Sequence, residues 1–131
     1  MPLHYQLEEA DAMLLLKVRG EWDVDAMRGV IDAIAVECAQ RHCHRVLADG
    51  LDLEFAGKVL EYERFLVGQH VAAVLSHVKL AALFPAEQIN KFGESIAVKG
   101  GAEFLVTSDR KEALQWLARG SPDAASGGRA Q

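Results

Sequence analysis

Cysteine is almost missing from this sequence, and long apolar runs are missing altogether. The chain has 131 residues and only two cysteines, Cys38 and Cys43, which are too few for a disulfide framework. The N-terminal stretch MPLHYQLEEAD lacks the basic start and apolar core of a signal peptide. No apolar run approaches the roughly 20 residues that span a bilayer. We therefore expect a cytoplasmic, bacterial protein with reduced thiols and no transmembrane segment.

An excess of basic residues is also missing. The chain has 14 lysines and arginines against 19 acidic residues, which gives a formal net charge of -5. Proteins that bind nucleic acid usually carry a basic face that neutralises phosphates. Because the basic residues here are scattered among more numerous acidic ones, nucleic acid is not an expected partner.

Catalytic and cofactor-binding motifs are the third absence. No pair of histidines or carboxylates has the spacing of a catalytic motif. Lys99, Gly100 and Gly101 match neither the GxxxxGK[ST] nor the GxGxxG phosphate-binding pattern, and the two glycines instead predict the end of a helix. The sequence predicts no catalytic residue and no cofactor.

One cluster of residues has metal-binding chemistry. Cys38 and His42 have the i, i+4 spacing that places two side chains on one helical face, and Cys43 and His44 follow directly. Structural zinc takes four protein ligands and catalytic zinc usually three, so two ligands at a helix end are insufficient. We interpret Cys38 as a core residue followed by a polar helix end, and we predict no metal site.

What the sequence does contain is a regular alternation of short apolar runs with amphipathic stretches, the pattern of an α/β domain. The predicted strands cover 4–8, 13–19, 45–48, 78–84 and 103–107. The predicted helices cover 23–41, 58–75, 85–99 and 109–117. Crossover connections make strands two to five parallel. The prediction is a single domain, 1–118, with the order ββαβαβαβα, a mostly parallel five-stranded sheet and about four flanking helices, followed by a disordered tail, 119–131.

Three stretches of this pattern resemble a known family. They are LLLKVRGEWDVD, RVLADGLDLEF and SDRKEALQWL. The order of the pieces carries the likeness: a strand before Gly20, Trp22 and Asp23, a strand before Asp49, and a late strand before an acidic cap and Glu112, Ala113, Leu114 and Trp116. Over residues 3–118 the chain resembles the STAS superfamily (sulfate transporter and anti-sigma-factor antagonist), in particular its SpoIIAA-like, STAS/SEC14-like branch. The resemblance implies the SpoIIAA-like fold and non-enzymatic binding.

The same resemblance implies something about regulation. In anti-sigma-factor antagonists of this family, a partner kinase phosphorylates a serine or threonine at the start of the helix after the third strand, which breaks the partner complex. A phosphate there adds bulk and nearly two negative charges to an interface. The corresponding stretch here, Phe55 to Lys58, contains no hydroxyl, and the nearest downstream serine is Ser76. The resemblance therefore implies a module without the usual phosphorylation switch.

The loop after the third predicted strand is the candidate ligand or partner loop. Its candidate residues are Asp49, Asp52, Glu54, Phe55, Gly57 and Lys58. Open α/β sheets bind ligands at the carboxyl ends of their parallel strands, and Gly57 with Lys58 suits a small anionic ligand at a helix start. Turn formation and helix-entry charge explain the same residues equally well, so both interpretations stay open.

The second predicted helix carries more apolar surface than one contact with a sheet requires. One stripe is formed by Leu60, Val67, Val71 and Val74, and a second by Val59, Tyr62, Leu66 and Ala73. If the first stripe faces the sheet, the second needs cover from the same domain, a ligand or a second chain. We take the second stripe as the candidate partner or oligomer face, with a homodimer as one form of it.

Three functions fit these observations. The first is a non-enzymatic STAS-like binding or regulatory module whose partner is another protein or a second copy of the chain. The alternative is a SEC14-like carrier of a lipid or other small apolar ligand. The third is an enzyme that uses the loop from Asp49 to Lys58, which requires a polar pocket there. The scarcity of catalytic chemistry favours the first.

Overall fold

The structure is a computed structural model that describes residues 3–119. The predicted disordered tail, apart from Arg119, lies outside the described residues. The strands are β1 (His4–Ala10), β2 (Met13–Glu21), β3 (Arg45–Asp49), β4 (Leu53–Glu54), β5 (Lys79–Leu83) and β6 (Glu103–Thr107). The helices are α1 (Val24–Arg41), α2 (Glu61–Val74), α3 (Phe92–Lys99) and α4 (Arg110–Ala118), with a 3₁₀ turn at Ala86–Gln88. The predicted element order is confirmed, and the two-residue strand β4 is added to it.

The strands of residues 3–119 form one sheet in the order β1-β2-β3-β5-β6, and β4 pairs with the end of β2. β1 and β2 form an antiparallel hairpin, and every other pairing is parallel. The predicted fold class, a mostly parallel sheet with flanking helices, is confirmed.

Three helices cover one face of this sheet because the chain steps across it in one direction. Successive right-handed crossovers from β2 to β3, β5 and β6 place α1, α2 and α3 on the same side. Their buried residues share one core cluster with Leu14, Leu16, Val46 and Leu80. α4 packs on the opposite face, where Ala113 and Leu117 join a second cluster. The β1–β2 end of that second face is therefore left open.

The first helix follows the prediction closely. Asp23 is the N-cap, and its Oδ2 accepts a hydrogen bond from Ala26 N at 2.9 Å. One side of the helix is buried against the sheet, with Met27, Val30, Ile31, Ile34 and Cys38 in the core. Burial also raises the pKa of the Cys38 thiol to about 11. Cys38 is thus a core residue, as interpreted from the sequence.

Two predicted helix starts are wrong. The second helix begins at Glu61 rather than Lys58 because Leu60 is extended and donates its N–H to Glu63 Oε1 at 2.9 Å. A continuous third helix from Pro85 does not form, and α3 begins only at Phe92. Lys91 just before it has a left-handed backbone with φ of 67°, which interrupts helical hydrogen bonding.

The second strand also differs from its prediction. Gly20 does not end β2, which continues to Glu21. Gly20 has φ of 121°, a conformation open to glycine, and pairs with Leu53 of β4. This extension brings Trp22 beside the loop that follows β4, since Trp22 N donates to Glu54 O at 2.8 Å.

α2 and α3 approach each other closely through glycine. A Cβ atom at Gly68 would lie 2.4 Å from the carbonyl oxygen of Gly93 and 3.0 Å from Cβ of Ile96. Gly93 makes the reciprocal approach, since its Cβ would lie 3.1 Å from Arg64 O. The two helices therefore form one tightly packed unit over the sheet.

Candidate functional site

The candidate loop starts with a buried carboxylate. Asp49 ends β3, and its Oδ1 accepts a hydrogen bond from Leu51 N at 3.0 Å while Oδ2 pairs with Arg110 at the start of α4. Gly50 N donates to Leu83 O at 2.8 Å, which ties the loop to β5. Asp49 therefore links the loop after β3 to the start of α4.

The other two carboxylates of the loop have separate surroundings. Asp52 Oδ2 lies 3.2 Å from Lys17 Nζ, and both side chains are exposed. Glu54 is exposed on β4. Because Asp49 and Asp52 are paired with different basic residues, these carboxylates do not form one catalytic pair.

A groove of about 550 Å³ lies on the open part of the sheet next to Asp49. Its lining includes Leu15, Lys17, Leu47, Asp49, Arg110 and Leu114. The floor is apolar and the rim carries the paired charges described above. It faces away from α1, α2 and α3.

Phe55 belongs to an aromatic cluster rather than to an open loop. Its ring stacks on Trp22 with centroids 5.8 Å apart and an interplanar angle of 23°. Phe84 meets both rings edge-on, at 5.8 and 6.3 Å. Such contacts stabilise by about 0.5–1.5 kcal/mol each beyond simple burial. In the structure each of these residues directly follows a strand, but the predicted strands do not end at these positions, so the sequence does not indicate the cluster.

Gln88, which lies about 30 residues further along the chain, forms hydrogen bonds to the next part of the loop. Its Oε1 accepts a hydrogen bond from Val59 N, and its Nε2 donates to Gly57 O, both at 3.0 Å. Ala56, Gly57 and Lys58 are exposed between these bonds and the aromatic cluster. The stretch where the family resemblance expects a hydroxyl is thus a fixed loop before the helix. Gln88 lies in the segment 85–99 that the sequence predicts as a helix, so its role at the loop has no sequence signal.

The start of α2 exposes three large apolar side chains, Leu60, Tyr62 and Phe65, which we call the α2 patch. Leu60 and Tyr62 are 63% and 68% exposed. The prediction that Leu60 shares a buried stripe with Val67 and Val71 is wrong, because Leu60 precedes the helix and is exposed. Residues 3–119 contain eight exposed large apolar side chains. Three of the eight lie between positions 60 and 65, so exposed apolar surface is concentrated at the start of α2.

The predicted partner face is only partly exposed. Tyr62 and Ala73 are exposed, whereas Leu66 is half-buried. Val59 is only 8% exposed and lies next to Gln88, so it does not belong to a surface stripe. Phe65, left out of the predicted stripe, contributes to the α2 patch instead.

The remaining expectations concern metals and membranes. Within residues 3–119 no group of three or more histidine, cysteine, aspartate or glutamate side chains is arranged to hold a metal ion. No helix in the same range is long and apolar enough to cross a membrane.

Three solved structures resemble this chain in fold. An anti-sigma factor antagonist from Mycobacterium paratuberculosis matches with a TM-score of 0.59 and 14% identity, over 88% of this chain and 93% of its own. SpoIIAA in its unphosphorylated form matches with a TM-score of 0.51 and 18% identity, over 87% and 96%. An uncharacterized protein with a SpoIIAA-like fold from Shewanella loihica PV-4 matches with 0.50 and 18%, over 89% and 94%.

Comparisons of sequence give no match to a family model and none to a curated protein. At 14–18% identity, the structural likeness shows the fold alone. The predicted STAS/SpoIIAA-like fold is confirmed on that basis.

Proposed function

We propose that this chain is a non-enzymatic regulatory module that binds a protein partner through the α2 patch, without a phosphorylation switch in the preceding loop. The observation that carries the proposal is the concentration of Leu60, Tyr62 and Phe65 at the start of α2. Contiguous exposed apolar side chains are typical of protein interaction sites. The partner is a different protein or a second copy of this chain.

The fold supports a regulatory role of this kind. Two of the solved structures that share it are anti-sigma factor antagonists, and we extend regulation by protein contact to this chain as part of the proposal. The α2 patch directly follows the loop in which the family resemblance expects the phosphorylated hydroxyl. Partner contact in the same region is therefore consistent with the resemblance.

The absence of a switch is supported by the loop itself. Phe55, Ala56, Gly57 and Lys58 have no hydroxyl group. Gln88 satisfies the backbone on both sides of Lys58, which leaves the loop in one defined conformation. These four positions therefore offer no serine or threonine hydroxyl to a kinase.

The other two functions have less support. Ligand pockets for molecules of lipid or drug size have volumes of about 300–1,000 Å³. The groove next to Asp49 reaches such a volume, about 550 Å³, but it is open on the sheet surface and has charged residues at its rim. The two interior cavities between the sheet and its helices measure only about 40 Å³ each. An enzyme that uses the candidate loop would need converging groups, but Asp49 and Asp52 pair separately with Arg110 and Lys17.

The proposal is tested by site-specific photo-crosslinking in the native host. A photo-reactive amino acid replaces Tyr62, and the matched control replaces Val98, an apolar residue of α3 that is 51% exposed. We expect a discrete cross-linked adduct from position 62 and none from position 98. Mass spectrometry of the adduct then identifies a partner or a second copy of the chain.

The strength of binding is tested with Tyr62→Glu. Loss of a central aromatic residue weakens an interface by more than about tenfold, so we expect that loss for Tyr62→Glu and little change for Val98→Glu. For self-association, sedimentation velocity over a range of concentrations measures the effect directly. The same adducts from both positions, or no adduct from position 62, would contradict the proposal.

A further inference from the structure

Two buried N–H groups in this domain have no protein acceptor. Among the side chains of residues 3–119, Trp22 Nε1 and Arg64 Nε are the buried nitrogen or oxygen atoms that lack a hydrogen-bond partner. A buried donor without an acceptor costs about 1–3 kcal/mol, and more when the group is charged. Native proteins rarely carry such groups without a reason.

Both residues line the same cavity, which we call the Trp22–Arg64 cavity. It lies where β2 ends, between α2 and the start of α3, and has a volume of about 40 Å³. Its other walls are mainly apolar, from Val59, Val67, Phe84 and Phe104. The two residues are 42 positions apart in sequence and come from different elements. Their meeting at one small cavity is therefore a property of the fold.

The charge of Arg64 is poorly compensated. Its side chain is only 12% exposed, and its nearest carboxylate, Glu61, lies 4.0 Å from Nε and is 65% exposed. Glu61 Oε1 also accepts a hydrogen bond from Asn90 Nδ2 at 2.7 Å. Because Glu61 is exposed and lies at the limit of ion-pair distance, it compensates the charge of Arg64 only weakly, and a buried cation without a close anion is unfavourable.

The second carboxylate at the cavity is already engaged. Glu94 Oε2 accepts hydrogen bonds from Val106 N at 2.7 Å and from Lys91 Nζ at 2.9 Å. Its Oε2 therefore serves Lys91 and the edge of β6, and Glu94 forms no ion pair with Arg64. A negative charge from outside the chain would therefore compensate the charge of Arg64.

We propose that the Trp22–Arg64 cavity binds a small carboxylate anion, which accepts hydrogen bonds from Trp22 Nε1–H and Arg64 Nε–H. A carboxylate matches the planar edge of a guanidinium group. The apolar walls suit a ligand with a single polar end. The volume excludes nucleotides and other large phosphorylated ligands.

The test uses sodium acetate as the probe and NMR of the indole N–H groups as the readout. The chain has two tryptophans, and Trp22→Phe assigns their signals. Trp116 lies on the opposite face of the sheet, over Lys79, and serves as an internal control. We expect acetate to shift the Trp22 signal saturably while the Trp116 signal stays in place. Sodium chloride at equal ionic strength should give no saturable shift.

Arg64→Met is the decisive variant because methionine retains an apolar stem and lacks the charge. Loss of a charge-assisted hydrogen bond should weaken acetate binding by about tenfold or more. If this variant does not fold, Trp22→Phe provides the second test, because it removes the N–H and keeps the ring. Its thermal midpoint should rise less with acetate than that of the wild type.

Three results would overturn the proposal. The first is a Trp22 signal that acetate does not move, which would mean that water alone satisfies the two donors. The second is an equal response to chloride. The third is undiminished acetate binding in both Arg64→Met and Trp22→Phe.

Discussion

Replacement of Gly68 by alanine tests the close packing of α2 on α3. The new Cβ atom would lie 2.4 Å from Gly93 O, and ordinary van der Waals contact begins at 3.4 Å. The backbone of α3 must therefore move away from α2 by about 1 Å at this point. A backbone atom cannot rotate aside as the end of a flexible side chain can.

The magnitude follows from two opposing effects. Alanine in place of glycine in a helix interior stabilises by about 1 kcal/mol, whereas overpacking of a tight contact costs about 1–3 kcal/mol. Because the clash is with backbone on one side and with Ile96 Cβ at 3.0 Å on the other, we expect the upper part of the packing range. The net result is a loss of about 1–2 kcal/mol.

Gly29→Ala is the matched control. Gly29 lies in α1, and a Cβ atom there meets nothing within 4 Å, so the substitution should stabilise the protein by up to about 1 kcal/mol. Equilibrium unfolding in urea, followed by circular dichroism, measures both variants. If Gly68→Ala were stabilised as much as Gly29→Ala, the two helices could not be in the contact described.

Two further predictions concern buried polar chemistry. The Cys38 thiol has its pKa raised from 9.0 to about 11 by burial; above pH 9 the unfolded chain loses this proton while the folded chain keeps it, so stability falls as pH rises from 9 to 11. The free energy of unfolding falls by at most about 3 kcal/mol over this pH range. The urea midpoint of Cys38→Ala should therefore fall less steeply with pH than that of the wild type. Parallel plots of midpoint against pH for the two proteins would contradict this prediction. Gln88→Ala leaves Val59 N–H and Gly57 C=O without their partner and should cost about 1–3 kcal/mol, with faster hydrogen exchange at Val59. Gln88→Glu keeps the acceptor for Val59 but sets a buried carboxylate against Gly57 O, so at neutral pH it should cost at least as much; a Gln88→Glu variant as stable as the wild type at pH 7 would contradict the bond to Gly57.

The fold could be predicted from the sequence because its signals are local. The run from Met13 to Val18 alternates between the two core clusters, and Asp23 caps the helix that follows. Each of these patterns depends on residues that are neighbours in sequence. The two-residue strand β4 carries no such pattern, since its pairing joins Leu53 and Glu54 to Gly20 and Glu21, which are distant in sequence.

The candidate site was less predictable because it depends on contacts between distant segments. Gln88 reaches a loop 29 residues away, and its own segment has the periodicity of a helix. Arginine is rarely buried, so nothing in the sequence singled out Arg64. The predicted second stripe of α2 treated Val59 as helical, and this error followed from placing the helix start three residues too early.

The position of Gln88 also bears on the proposed binding of a partner next to the loop before α2. A flexible loop loses conformational entropy when it is ordered by a partner, and this loss reduces affinity. Here the bonds to Gly57 and Val59, with the stacking of Phe55 on Trp22, already fix the loop. The α2 patch follows it directly, so its orientation relative to the sheet is set before any partner arrives. Arg64, on the first turn of α2, belongs to the helix that carries the patch and also lines the Trp22–Arg64 cavity.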